Sequence, residues 1–152
     1  MRGLSLSQPW ASLIAIGAKS WETRSWSTKY RGWVAIHASQ RYPRECQRLC
    51  GGDPFAKHLR NGYGLPTGVI LAMARIVAVQ TTDEWREHYN SDRDHDEWRF
   101  GDYRPHRFAW KLEDVRALPK PIPCKGALGL FRLPDPISEE LIDFIETGDQ
   151  RG

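Results

Sequence analysis

Acidic residues are scarce where this chain begins its business: residues 1–80 hold three, against eleven lysines and arginines. Cysteine is nearly absent too. An odd count of three rules out a complete disulfide framework and points to a reducing compartment. The five histidines, His37, His58, His88, His95 and His106, stand apart, and no Cys-x-x-Cys pair accompanies them. No zinc site is spelled out by that spacing, so no metal and no cofactor are expected. No apolar run reaches the roughly 18 residues that cross a bilayer, and Met1-Arg2 leads directly into a patterned segment instead of a leader. The expectation is a cytoplasmic protein without membrane contact.

What is present suits one domain. At 152 residues, 40 % apolar and with seven tryptophans, the chain can build a single core over 1–152. Its net charge of +3 conceals a division, since residues 81–152 carry eleven basic against sixteen acidic side chains. A basic face that attracts polyanions follows if the halves stay apart, and dissolves if folding interleaves them.

Period and punctuation place the elements. Leu4 to Ser7 reads as extended, and Ser7 with Pro9 opens a short helix in which Trp10, Leu13 and Ile14 share a stripe before Gly17. Ser20 to Ser25 and Gly32 to Ala38 read as strands, the second alternating Val34 and Ile36 with Ala35 and His37. A helical insertion over about 43–61 follows, from Pro43 to Gly51-Gly52 and from Asp53-Pro54 to Asn61-Gly62. Cys46, Leu49 and Cys50 fall on one face of its first helix, as core residues do. Gly68 to Gln80 is long and β-branched, which favours a curved strand over a buried helix. An acidic loop over about 83–104 contains one short helix, Asp83 to Tyr89, and is otherwise expected in solvent, folded over the mouth of the barrel. Phe108 to Val115 and Ala127 to Arg132 complete the strands, and Ser138 is expected to cap a last helix with Leu141, Ile142 and Ile145 inward until Gly148.

The densest chemistry lies between Gln8 and Ser39. Gly17-x-Lys19-x-x-Glu22-x-Arg24 is followed by Ser25, Trp26, Tyr30 and Arg31. On a strand, Glu22, Arg24 and Trp26 share one face, and Trp21, Thr23 and Ser25 the other. Glu22 and Arg24 could simply pair with each other or with Lys19. Alternatively, Lys19, Arg24 and Arg31 hold phosphates or a guanine edge, Trp26 and Tyr30 stack on bases, and Glu22 orients Lys19 or accepts from a base or ribose. Gln8 and Trp10 would border the same pocket, although Trp10 and Trp33 also fit a core.

That motif, with Gln8-Pro9-Trp10-Ala11-Ser12-Leu13 before it and Tyr30-Arg31-Gly32 after it, resembles the ASCH domain family of the PUA-like group. A second block, Phe108 to Val115 and Pro121-Ile122-Pro123-Cys124-Lys125-Gly126, agrees with it. The resemblance implies an α+β fold, a PUA-like β-barrel of about five to six strands flanked by short helices. It also implies a cleft that binds nucleic acid, RNA or DNA, with RNA or single strands favoured. Carried over, the site comprises Lys19, Glu22, Arg24, Ser25, Trp26, Tyr30 and Arg31, with Lys125 from the second block. A family branch resembling amidohydrolases uses a threonine three residues after its lysine and a strand glutamate; here Glu22 stands in the first place and Gly68 to Gln80 has no carboxylate. A metal-independent ribonuclease built on Lys19, Glu22 and Tyr30 is the alternative enzyme, and a protein-contact module built on the acidic loop is a third class.

Overall fold

The computed structural model describes residues 1–60, 64–89 and 95–150. In chain order it contains β1 (Arg2–Leu6), α1 (Trp10–Ala15), β2 (Trp21–Arg24), β3 (Gly32–Ala38), α2 (Arg44–Leu49), α3 (Phe55–Leu59), β4 (Val69–Thr81), α4 (Thr82–His88), α5 (Asp96–Phe100), β5 (Phe108–Pro123), β6 (Leu130–Arg132) and α6 (Asp135–Gln150). The strands form one sheet in the order β2-β5-β4-β3-β1-β6, with β1 and β3 parallel and the other pairs antiparallel. The sheet curls into a half-barrel, an α+β architecture.

The long run after Gly68 is a strand, as its β-branched content required. β4 lies between β3 and β5, and its register against β5 slips at Ile70/Ala72, Met73/Arg75 and Ile76/Ala78. Each slip inserts extra backbone on one side, which bends a strand and sharpens its twist. Three slips in succession let two long strands wrap instead of lying flat.

Both faces of the sheet are covered, and β3 shows why its alternation matters. Val34 and Ile36 join Leu4, Leu6, Ala72 and Leu112 in a core closed by Ala11 and Ile14 of α1. Ala35 points the other way, into a core of Ile70, Met73, Phe131 and Leu133 closed by Leu141 and Ile145 of α6. Burying each such Leu or Ile is worth ~1.5–3 kcal/mol, which outweighs the poor intrinsic stability of a six-residue helix such as α1. α1 ends as the sequence suggests, with Gly17 at φ +81°.

Several expectations need correction. The acidic stretch is not a plain solvated loop: α5 forms within it, its first turn capped by the His95 ring on the Glu97 amide, and Glu97, Phe100 and Tyr103 are buried. β5 runs past Val115 through three prolines to Pro123. This is possible because β2 pairs with β5 only from Phe108 to Lys111, so the later part has one open edge where a missing N–H costs no ladder bond. α6 starts at Asp135, so Ser138 sits inside it and its hydroxyl donates to the Leu133 carbonyl; Ile142 is 43 % exposed, and the helix passes Gly148. Of the expected cysteine face only Cys50 is buried, while Cys46 is half-buried and Leu49 is 39 % exposed, because α2 buries none of its residues. The Asn61-Gly62 stop and the acids Asp92 and Asp94 lie outside the described residues. Among the described residues no helix is long and apolar enough to cross a membrane, and no three His, Cys, Asp or Glu side chains cluster for a metal.

Candidate nucleic-acid interface

β2 puts its motif residues beside an opening because it is an edge strand, paired only with β5. Trp21 and Thr23 turn inward, and Glu22 and Arg24 turn toward the open side with 13 % and 24 % of their side chains exposed. Trp26 follows, its ring edge-on to Trp110 at 4.7 Å. Three hollows run along this side. A cavity of about 770 Å³ is lined by Ser5, Ser7, Arg24, His37, Lys125 and the loop to Gly129. One of about 330 Å³ is lined by Ser7, Trp10, Glu22, Arg24, Ser25 and Trp26. One of about 170 Å³ is lined by Trp10, Lys19, Glu22, Phe100, Asp102 and Arg107. Arg24 is shared by the first two and Glu22 by the last two, so the hollows adjoin in a row, here called the trough, with these side chains at its joints.

Lys19 does not present its ammonium as expected. It is 1 % exposed, its Nζ donates to the Trp21 carbonyl, and it lies 3.7 Å from Glu97 Oε2. Glu97 Oε1 accepts the Ser20 amide. Burial pushes the Glu97 carboxyl above its ordinary range, against the opposing pull of Lys19. An ammonium taken from water must be compensated nearby, and the acid that does so comes from the second half of the chain. Lys19 therefore braces a wall of the trough. The acidic segment spends its other charges in the same manner, Asp96 on Lys57 and His58, and Asp102 on Arg104 and Arg107. These Lys and Arg partners hold both carboxyls below the usual carboxylate range. The two halves interleave, so no whole basic half survives as a face.

Three expected residues fall outside the trough. Gln8 is fully buried, its amide bonded to Ser12 and to the Pro66 carbonyl, and it fixes the approach to α1. The Tyr30 hydroxyl donates to the Trp33 carbonyl at 2.6 Å while its ring packs on the core. Arg31 is exposed but folds back on the Thr28 and Tyr30 carbonyls. Lys19, Glu22 and Tyr30 thus do not converge on one reacting point. Trp10, Glu22, Arg24, Ser25, Trp26 and Lys125 do border the trough. Trp10 also contributes a ring edge to Phe55 and an N–H to the Phe100 carbonyl, so its core and cleft roles coexist. Trp33 packs against the α6-side core, with the Arg116 guanidinium 4.8 Å from its ring centre.

Sequence reasoning missed the floor of the large cavity. Ser5 and His37 are register partners on the parallel strands β1 and β3. His37 Nε2 lies 2.7 Å from the Cys124 carbonyl, which can only accept, so the neutral ring carries its proton there and Nδ1 accepts from the Ser5 hydroxyl at 2.9 Å. That clamp ties the Lys125-Gly126 loop to the sheet. Gly126 is required there because a Cβ would sit 2.6 Å from His37 Cε1. The amides of Lys125, Gly126 and Ala127 donate to no backbone carbonyl among the described residues, and all three residues line the large cavity. The available signal was a histidine on an inward strand position together with the Lys-Gly pair downstream.

A family model, the ASCH domain, matches residues 4–122. The chain is 32 % identical over 92 residues to activating signal cointegrator 1 from Homo sapiens and 46 % identical over 92 residues to that from Mus musculus. Each match takes 57 % of this chain and 16 % of the relative, so the chain spans about a sixth of those proteins. A crystal structure of ASCH from Zymomonas mobilis superposes with a TM-score of 0.57 at 15 % identity, covering 93 % of both chains. A tyrosine-to-phenylalanine mutant of that protein gives the same score over 93 % of this chain and 96 % of its own. At that identity the likeness is one of fold.

Proposed function

Because the chain belongs to the ASCH domain family, we propose that its trough holds single-stranded nucleic acid, RNA foremost, with bases in the middle cavity and backbone across Arg24 into the large one. The placement of Arg24 carries this reading. Its Nη2 is fixed to the Ser5 carbonyl at 2.7 Å, so the guanidinium stands at the joint between a cavity walled by Trp10 and Trp26 and a cavity bordered by Lys125 and the backbone through Ala127. Rings suit base faces, and cations with amides suit phosphates. A single strand offers both within one nucleotide step. A duplex buries its base faces.

Fluorescence anisotropy with labelled single- and double-stranded RNA and DNA, over a series of salt concentrations, tests the assignment. Single strands are expected to bind more tightly than duplexes. Arg24→Ala and Lys125→Ala should each weaken binding and reduce the salt slope by about 0.7 per lost phosphate contact. Absence of binding by any oligonucleotide at low salt would refute it. A ribonuclease using Lys19, Glu22 and Tyr30 lacks comparable support, since Lys19 and the Tyr30 hydroxyl are already engaged elsewhere. A gel of the incubated RNA settles that alternative: intact RNA excludes it.

A further inference from the structure

We infer that the middle cavity selects guanine, an inference that rests on the nucleic-acid reading and names the base it takes. Glu22 Oε2 and Arg24 Nε are both shut off from solvent, and neither has a hydrogen-bond partner among the described residues. They are close neighbours: Arg24 Nε lies 3.9 Å from Glu22 Oε1, too far for a hydrogen bond. Buried donors and acceptors are rarely left unmatched, and each exception calls for an explanation. A ligand that satisfies both at once provides one.

The order of these valences decides which ligand. Ordered by that 3.9 Å approach, the Arg24 N–H comes first, then Glu22 Oε1, then the unmatched Oε2, a donor followed by two acceptors. Cytosine displays that same order on its pairing edge, so the protein edge complements guanine, whose O6 accepts while N1–H and the 2-amino group donate. Uracil would set a carbonyl against a carboxylate oxygen, and cytosine would set two acceptors there. Adenine would turn its amino group toward the Arg24 N–H or an unprotonated ring nitrogen toward the carboxylate. Trp10 and Trp26 line the same cavity and supply flat surfaces for the ring. Its volume of about 330 Å³ falls in the range that holds a small ligand. Seating the base requires the Glu22 carboxyl to rotate toward the cavity, which its partly exposed side chain allows.

Five labelled trinucleotides, UGU, UIU, UAU, UCU and UUU, with I for inosine, separate the contacts on the wild-type protein. UGU is expected to bind most tightly. Loss of the 2-amino group in UIU should cost about five-fold or more, the discrimination typical of one arm of a bidentate base contact. Glu22→Gln, which keeps the side chain's size, should erase the gap between UGU and UIU while leaving the melting curve near that of wild type. Equal affinities across the series, or a preference for another base, would overturn the guanine assignment and leave the single-strand reading intact. No binding by any trinucleotide, when longer single strands also fail, would overturn both.

Discussion

Lys19→Met separates a bracing lysine from a phosphate-binding one. In the folded chain Lys19 is 1 % exposed and the Glu97 side chain 8 %, with 3.7 Å between Nζ and Oε2. Two opposite charges about 4 Å apart attract by about 4 kcal/mol at the effective dielectric of protein sites. Removing one member of a buried pair costs ~3–5 kcal/mol, because the other charge stays behind uncompensated. For a domain of this size that corresponds to a melting temperature lower by roughly 10 °C. Glu97 then loses the Lys19 charge and keeps the Ser20 and Trp21 amides and His95 to favour its charged form, so it takes up a proton more readily in the variant. Its folded-state pKa is raised by burial already, so the proton is bound preferentially by the folded chain. Stability linked to Glu97 is therefore complete below the ordinary carboxylate range and falls as pH rises through the folded-state value. The penalty of Lys19→Met should accordingly shrink on going from about pH 7 to about pH 4. Adding Glu97→Gln should recover much of the loss at neutral pH. The assay is thermal unfolding followed by circular dichroism for the four proteins of the cycle at both pH values. A Lys19→Met protein that melts within a degree or two of wild type, yet loses oligonucleotide affinity, would refute the bracing role.

Gly126→Ala should cost about 1–3 kcal/mol, since its Cβ would meet His37 Cε1 at 2.6 Å and Nδ1 at 2.9 Å; denaturant unfolding reports the loss, and an unchanged midpoint would contradict the clamp. His37→Gln should release the loop that carries Lys125 and weaken single-strand binding, with a smaller salt slope measured by anisotropy. Trp26→Ala should lower affinity for single strands by about 1–3 kcal/mol with little change in that slope, because a ring contributes stacking and no charge. Asp102→Asn should change the melting temperature little, as its closer partner Arg104 is 77 % exposed; a large drop in melting would mean that the turn or the less exposed Arg107 depends on the carboxylate.

The strands were legible because their evidence is local. Val34 and Ile36 against Ala35 encode two covered faces, and Gly68 to Gln80 declares a strand by its branched side chains. Gly17 stops α1 where a residue free to adopt φ +81° stands. What stayed hidden depends on partners far along the chain. Lys19 meets Glu97 across 78 positions, and no spacing rule announces such a pair. His37 meets the Cys124 carbonyl across 87. The acidic stretch read as solvated because charges usually are, yet one buried glutamate in it follows from the buried lysine that needs it. Prolines 119, 121 and 123 argued against a strand, and only the sheet order shows that the edge facing them is open.

The same pairing logic divides the motif between structure and ligand. Each charged side chain near the trough can be asked what it would lose if the cavity stayed empty. Lys19, Glu97 and Arg107 would lose little, since carbonyls, amides and carboxylates of the chain already surround them. Glu97 Oε2 also lacks a hydrogen bond, but it faces the Lys19 ammonium and lines none of the hollows; Glu22 and Arg24 differ in that each keeps an unmatched buried atom, among the described residues, while bordering two hollows. Unmatched polar atoms lower the stability of the empty fold, and a ligand that matches them gains affinity from the same source. Glu22→Leu, which removes the orphaned oxygen without opening a void, should therefore leave the protein as stable as wild type or more so, while weakening its hold on single-stranded RNA. Thermal melting and anisotropy on that one variant read the two effects separately. A Glu22→Leu protein that is less stable by more than about 1 kcal/mol would show that Glu22 belongs to the scaffold, and the division drawn here would fail.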